Sequence, residues 1–184
     1  MRNSLRSSRA GAPRYTLRLA TAADLPAILA LVAEVVPLMR AAGNQQWGSD
    51  YPNETVFQQD IAREQLWVAE SGNALVGVAA LTMDQDPEYA DADWEPNAPA
   101  IVTHRLAVAP AAQGQGVAVA LLEQAEQLAR ARGLDRLRID TNSKNGATQR
   151  LFPKLGYRFA GEIGLRARPG LRFFCYEKRL GTSD

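Results

Sequence analysis

The sequence predicts one α/β domain built on a mixed β-sheet. A chain of 184 residues with 46% hydrophobic and 22% charged residues has the size and composition of one soluble globular domain. Segments with two-residue apolar alternation take turns with segments of helical periodicity. Their order is a strand, two helices, a β-rich middle, and then β–α–β–α–β–β, which indicates a mixed sheet with helices on its faces.

Composition divides the chain into three parts. Residues 1–14 hold four arginines and no acids, so we expect a flexible basic tail there. Residues 15–180 carry all the periodic segments and form the predicted domain. Residues 181–184 are expected to be a short C-terminal tail.

The domain begins with a short strand, since apolar side chains alternate over residues 15–19. Thr21 and Asp24 have the spacing of an N-terminal capping box. Apolar residues at helical spacing follow them and predict the first helix. Pro37 should kink or end that helix before Met39.

The next segments predict a loop, a helix and a hairpin. Gly43–Asn53 is a polar, aromatic loop, and residues 54–65 have the pattern of a second helix. The apolar runs Leu66–Ala69 and Ala74–Met83 are joined by Glu70–Asn73, whose Gly-Asn pair favours a tight turn.

The C-terminal half continues with alternating elements. An acidic, proline-containing loop comes first, and its six acids have no basic neighbour. The predicted elements, in order, are the loop 84–99, a strand 100–109, a helix 116–132 ended by Gly133, a strand Leu137–Asp140, a helix Asn145–Leu155, and strands Tyr157–Leu165 and Leu171–Lys178.

The segment His104–Ala118 holds the most informative motif. A strand runs into the glycine-rich loop Gln113–Gly116, and a long helix starts at once. Glycines let several backbone amides converge, and the helix dipole adds positive potential, so the loop suits a pyrophosphate. A Walker loop is excluded because no Gly-Lys-Ser/Thr occurs, and Val119 stands where a dinucleotide fingerprint needs a small residue. Taken alone, the motif also fits an ordinary strand-to-helix turn.

The spacing Gln113-x-x-Gly116-x-Ala118 resembles the cofactor signature of the GCN5-related N-acetyltransferases (the GNAT family). A Val-x-Pro segment at Val108–Pro110 precedes it, as in that family. A second family motif lies about 30 residues further on, and the resemblance extends over residues 15–180. The matching residues of the second motif are Asn142, Asn145, Ala147, Leu151, Phe152, Lys154, Leu155, Gly156 and Tyr157.

This resemblance implies the GNAT acyl-CoA N-acyltransferase fold, a central splayed mixed sheet flanked by about four helices. It also implies acetyl-CoA as co-substrate, bound where two parallel strands splay apart at a bulge. Strand backbone would meet the pantetheine, loop amides the pyrophosphate, and two residues near the later helix the rest of the cofactor. The implied cofactor-binding residues are Leu106, Ala107, Val108, Gln113, Gly114, Gln115, Gly116, Val117, Ala118, Asn145 and Phe152.

The family mechanism is direct attack of an amine on the thioester in a ternary complex, with a backbone N–H near Leu106 for the oxyanion. Many relatives use a tyrosine to protonate the departing thiolate, but this chain has Phe152 there. A thiol pKa of about 8.5 makes thiolate a fair leaving group without an acid. Tyr157 is an alternative donor, although its place in the motif is typical of a core aromatic.

His104 is the candidate general base. By strand alternation it shares a face with Leu106 and Val108, and its reference pKa of about 6.5 suits proton transfer near neutrality. The alternative is a histidine that only hydrogen-bonds a neighbouring strand or loop. Glu70 and Asp140 are lesser candidates.

Two loops are candidates for the acceptor pocket. Trp47 and Tyr51 would wall it, or merely pin their own loop. The acids of residues 84–95 would attract a cationic amine, or simply be solvated. Cys175 is expected to be a core residue rather than a nucleophile.

The leading functional hypothesis is therefore a small-molecule N-acetyltransferase. The alternatives are a non-catalytic acyl-CoA-binding or sensor domain and a protein acetyltransferase acting on a lysine or an N-terminus. One histidine and one cysteine argue against a multi-histidine zinc site and a disulfide scaffold, so we expect no metal. A net charge of +1 gives no sign of nucleic-acid binding, and no run of about 18 apolar residues predicts a membrane span. We expect a cytoplasmic protein, and a homodimer by analogy with relatives.

Overall fold

The computed structural model describes residues 15–181, so the predicted tail 1–14 and residues 182–184 lie outside the described part. Within it, seven strands and four α-helices follow one another in the predicted order. They are β1 (Thr16–Leu19), α1 (Leu25–Ala41), α2 (Glu54–Ala62), β2 (Leu66–Ser71), β3 (Ala74–Thr82), β4 (Ile101–Val108), α3 (Val117–Ala131), β5 (Arg136–Asn142), α4 (Gly146–Lys154), β6 (Arg158–Gly164) and β7 (Arg172–Arg179).

The strands form one mixed sheet, in the order β1-β2-β3-β4-β5-β7-β6. The β4–β5 pair is parallel, and the other neighbouring pairs are antiparallel. The parallel pairing covers only Ile101–Thr103 of β4, so the two strands separate beyond that point. The predicted mixed α/β architecture with flanking helices is confirmed.

Helices cover both faces of the sheet. Leu121 of α3 belongs to the hydrophobic cluster on one face, and Ile28 and Leu31 of α1 belong to the cluster on the other. Gly77 of β3 lets α3 approach closely, because a Cβ there would lie 2.5 Å from the Cγ1 of Val117. The N-terminal end of α3 therefore packs closely against the middle of the sheet.

Three local predictions differ from the structure. Pro37 does not end the first helix, which continues to Ala41, because one missing hydrogen bond at an exposed position is tolerated near the helix end. The second helix stops at Ala62, earlier than predicted. The acidic loop contains a 3-10 turn at Pro87–Asp91.

The segment Ala22–Ala41 has the length and composition of a membrane-spanning helix, with mean hydropathy 1.8. The sequence has no uninterrupted apolar run there, because the charged residues Asp24, Glu34 and Arg40 interrupt the segment. The same composition is found in core helices of soluble proteins, so this finding alone is weak. Val32 and Val35, with the neighbouring apolar residues of that face, are buried in the core cluster.

Candidate functional site

The site begins at a β-bulge in β4. Between its paired residues, β4 has two residues where β3 has one. One of the two is Arg105, which has φ +53°. A bulky residue in this left-handed region costs about 1–3 kcal/mol, so the surrounding contacts must hold it there.

A buried ion pair provides that hold. The Arg105 guanidinium donates from Nε and Nη2 to the two carboxylate oxygens of Asp60, at 2.6 and 2.8 Å, and from Nη1 to the Tyr51 hydroxyl at 3.0 Å. Burial raises the pKa of Asp60, although the neighbouring Arg105 opposes that shift. We call these three residues the Arg105 clamp, and it joins the bulge to α2 and to the loop before it.

The bulge changes which side chains share a face. Arg105 reaches towards α2, and His104 lines a cavity of about 250 Å³ beside that helix. Leu106 and Val108 pack instead against the cluster beneath α3. The prediction that His104 shares their face is therefore wrong, because the extra residue interrupts the two-residue alternation.

A cleft of about 380 Å³ opens where β4 and β5 separate. Its walls come from the end of α1, the loop before α2, the acidic loop, α4 and the β6–β7 turn. Six of the predicted site residues line it, namely Trp47, Tyr51, His104, Leu106, Asn145 and Phe152. Ala107, Val108 and the loop residues Gln113, Gly114, Gln115, Gly116, Val117 and Ala118 are not among its lining residues.

Two carboxyl groups flank His104 in the cleft. One ring nitrogen of His104 and one oxygen each of Asp86 and Asp140 lie within 4.8 Å of one another. The His104 Nε2 lies 3.2 Å from the carbonyl oxygen of Asp84. A carbonyl only accepts, so Nε2 carries the hydrogen and Nδ1 of the neutral ring keeps a free lone pair. By composition the same trio can ligate a divalent cation.

A buried tyrosine forms a hydrogen bond with the carboxylate of Asp140. The Tyr89 hydroxyl donates a short hydrogen bond to Oδ1 of Asp140. Burial raises the pKa of Asp140, and the bond from Tyr89 partly offsets that rise. Burial likewise raises the pKa of Tyr89, so the phenol remains the donor.

The predicted phosphate loop presents unpaired amides. Among the described residues, the backbone N–H groups of Gly114, Gly116, Val117 and Ala118 have no acceptor. Gly114 and Gly116 have φ +74° and +91°, and a Cβ on either would meet nothing within 4 Å. Free amides, open space and a helix N-terminus together fit an anionic group such as a pyrophosphate.

Asn145 and Phe152 close the α4 side of the cleft. The Asn145 side chain caps α4 by accepting from the amide of Thr148 at 3.4 Å. Phe152 is 1% exposed, and its ring centroid lies 5.8 Å from that of Tyr157 and 5.3 Å from that of Tyr176. Trp47 is buried in the core on the α1 face, so its main contact is structural.

Other candidates fall outside the cleft. The Tyr157 hydroxyl is buried without a hydrogen-bond partner among the described residues, and Tyr157 does not line the cleft. Glu70 is partly exposed at the hairpin end and pairs with Arg18 at 2.5 Å. Burial raises the pKa of the Cys175 thiol to about 12, which fits the prediction of a core residue.

Sequence reasoning missed four residues of this site. Each of the four contacts residues that are distant in the chain. Neither the β4 bulge nor these side-chain contacts produce a recognisable pattern in the neighbouring sequence. Asp140 was judged a lesser candidate, although its place at the end of a buried strand is a usable signal. The missed residues are Asp60, Tyr89, Arg105 and Arg168.

Comparison with known proteins identifies the class of fold and site. The acetyltransferase (GNAT) family profile matches residues 32–157. A GNAT-family acetyltransferase of Streptococcus agalactiae superposes with a TM-score of 0.77 at 27% identity, covering 91% of this chain and 96% of that one. The PaiA N-acetyltransferase of Thermoplasma acidophilum, solved with coenzyme A, gives a TM-score of 0.66 at 17% identity over 90% of this chain and 98% of that one.

The rat N-acetyltransferase 8F1 is 30% identical over 101 residues, which are 55% of this chain and 42% of that protein. The matched segment thus spans less than half of the rat protein. The chain belongs to the GNAT acetyltransferase family.

The Arg105 clamp can be tested by removing its carboxylate. We expect Asp60→Ala to lower the free energy of unfolding by about 3 kcal/mol, because it leaves a mostly buried guanidinium without its counter-charge. Urea denaturation monitored by tryptophan fluorescence measures the change. Asp84→Ala is the matched control, since Asp84 and its partner Arg63 are exposed, and their side chains are 3.4 Å apart. Equal losses in both variants would contradict the assigned role of the clamp.

Proposed function

We propose that this protein is an N-acetyltransferase that moves the acetyl group of acetyl-CoA to a primary amine of a small molecule. The observation that carries the proposal is the cleft at the β4–β5 separation, where the His104–Asp140 pair faces open space. The amide-lined loop at the start of α3 stands beside the same strand end. A non-catalytic sensor and a protein acetyltransferase are the alternatives.

Acetyl-CoA would bind mainly through the backbone. The edge of β4 beyond Thr103 has no strand partner on the β5 side, so Leu106, Ala107 and Val108 offer main-chain groups to the pantetheine amides. The free amides of Gly114, Gly116, Val117 and Ala118 would hold the pyrophosphate. A structural neighbour was solved in complex with coenzyme A, which supports the choice of this cofactor.

The amine must lose a proton when it attacks. A free alkylammonium has a pKa of about 10.4, so neutralising it at pH 7 costs roughly 4–5 kcal/mol. We assign proton acceptance to His104 through Nδ1. The carboxylates of Asp86 and Asp140, within 4.8 Å, stabilise positive charge at this point of the cleft.

The bond changes then balance without a covalent enzyme intermediate. The amine nitrogen forms a bond to the thioester carbon, the carbon–sulfur bond breaks, and coenzyme A leaves as the thiolate. A backbone N–H on the splayed end of β4, near Leu106, would stabilise the oxyanion. Phe152 has no proton to give, so the thiolate leaves unprotonated or takes a proton from water.

The cleft favours a small acceptor. Its volume of about 380 Å³ suits a metabolite-sized molecule, and Trp47 and Tyr51 lie among its lining residues. We further propose that the reaction needs no metal and that the protein acts in the cytoplasm, binds neither nucleic acid nor membrane, and pairs as a homodimer.

The decisive test is turnover with an amine panel. We expect purified protein, assayed with acetyl-CoA in chelator-containing buffer, to release free coenzyme A thiol with at least one small primary amine. The panel includes lysine-containing peptides to cover the protein-acetyltransferase alternative. A rise in melting temperature with acetyl-CoA but no thiol release with any acceptor would instead indicate a sensor.

Cofactor binding can be tested at Gly116. We expect Gly116→Glu to abolish acetyl-CoA binding in calorimetry, because the new carboxylate fills and repels the phosphate site. Gly133→Glu is the matched control. It makes the same change at the other end of α3, where φ is +66° and a Cβ would also meet nothing within 4 Å. Equal loss of binding in both variants would remove the loop from the cofactor site.

The role of Asp140 gives a pH dependence with a definite sign. Only the carboxylate supports positive charge, and burial raises its pKa, so activity should fall as pH drops through that raised pKa. We expect Asp140→Asn to lower kcat about 100-fold and to remove the contribution of Asp140 to this acidic limb.

Tyr89→Phe provides the matched variant for that profile. The tyrosine hydrogen bond lowers the Asp140 pKa, so its loss should move the acidic limb to higher pH. An acidic limb unchanged in both variants would exclude Asp140 from the reaction.

A further inference from the structure

The β6–β7 turn contributes to the cleft an arginine that is only partly used. Arg168, in the β6–β7 turn, lines the cleft, and its side chain is 19% exposed. Its Nη1 donates to Oδ2 of Asp50 at 2.6 Å, and its Cζ lies 4.7 Å from the centroid of the Tyr51 ring. Among the described residues, its Nε and Nη2 donate to nothing.

These contacts orient the Arg168 guanidinium but leave several of its N–H donors unpaired. Stacking on Tyr51 fixes its plane, and Asp50 takes one of its five N–H groups. The remaining donors are accessible, since they are not among the buried unpaired atoms. A fixed guanidinium with a free edge is the geometry that binds a carboxylate through two parallel hydrogen bonds.

The neighbouring arginines do not share this property. Arg105 also lines the cleft, but each of its three side-chain nitrogens already donates to Asp60 or Tyr51. Arg166 lies on the same turn, yet its side chain is 88% exposed and pairs with Glu88. Of the two arginines that line the cleft in the described chain, Arg168 is thus the one whose Nε and Nη2 both donate to nothing.

The cleft also carries negative charge. Asp86 and Asp140 lie beside His104, and all three line the same cleft as Arg168. The lining therefore combines carboxylates beside His104 with a guanidinium from the β6–β7 turn. A ligand that is neutralised by both groups must carry an ammonium and an anionic group together.

We propose that the acceptor is an amino acid, whose amine lies between the carboxylates and the acetyl group while Arg168 binds its carboxylate. This inference rests on the proposed acetyl transfer and specifies its substrate class. Met39, Trp47 and Leu165, which line the same cleft, would contact the side chain of the acceptor. Asp50 and Tyr51 act as positioning residues for the guanidinium.

The test compares amino acids with their carboxamides, which keep the amine and lose the negative charge. We expect kcat/KM of the native enzyme to favour the acid over its amide about 10- to 100-fold, the range for a lost charge-assisted hydrogen bond. Arg168→Gln should abolish this preference by lowering kcat/KM for the acid alone. Arg168→Lys should restore part of it, since the charge remains and the fork is lost.

Arg166→Gln is the control variant, because it removes an exposed arginine of the same turn. Melting temperature and acetyl-CoA affinity should match the native values in all three variants. Aminoalkyl phosphonates form a further arm, and faster turnover of a phosphonate than of the matched amino acid would overturn the carboxylate assignment.

The outcomes separate the two proposals. If no amine of any kind releases coenzyme A, the proposed acetyl transfer is wrong. If amines react but acids and amides react equally, or if Arg168→Gln slows both alike, acetyl transfer stands and the amino-acid inference is wrong.

Discussion

The buried pair of Arg105 and Asp60 is the interaction on which the site depends. Without it, nothing compensates the left-handed backbone at Arg105, and the ordinary result would be a regular strand paired with β5 along its length. The pair instead holds a bulge, and the parallel pairing covers only Ile101–Thr103. The cleft and the unpaired edge of β4 both follow from this break. The main effect of this buried ion pair is thus to fix the geometry of the bulge, more than to raise the free energy of unfolding.

Charge is distributed more selectively than the net value of +1 suggests. The four arginines of residues 1–14 leave a net charge of −3 for residues 15–184. Three acids of the acidic loop have described ion pairs, namely Asp84 with Arg63, Glu88 with Arg166 and Glu95 with Arg136. Asp86 remains directed to the cleft beside Asp140. The loop therefore contributes a local carboxylate to the site as well as a general negative field.

The sequence could predict the secondary-structure elements, but not the side-chain pairs that join them. Periodicity and glycine positions located the strands, the helices and the phosphate loop, because these depend on residues close together in the chain. The clamp and the Tyr89–Asp140 bond join residues 45 and 51 positions apart. No local pattern encodes such pairs, and a one-residue bulge reverses the face predicted for His104. The same limit explains why Arg168 was overlooked, since its stacking partner belongs to another loop.

Because residue 152 is a phenylalanine, the proposed reaction has no protein acid at this position for the departing thiolate. A thiol of pKa about 8.5 leaves as the thiolate more readily than an alkylammonium of pKa about 10.4 loses its proton at neutral pH. The harder proton transfer of the proposed reaction is therefore on the amine side, to which we assign His104, Asp86 and Asp140. On the proposed thiol side lies the buried ring of Phe152, which packs on Tyr157 and Tyr176 and donates nothing. An acid at position 152 is dispensable for such a reaction, because positioning and amine deprotonation supply the larger part of the rate.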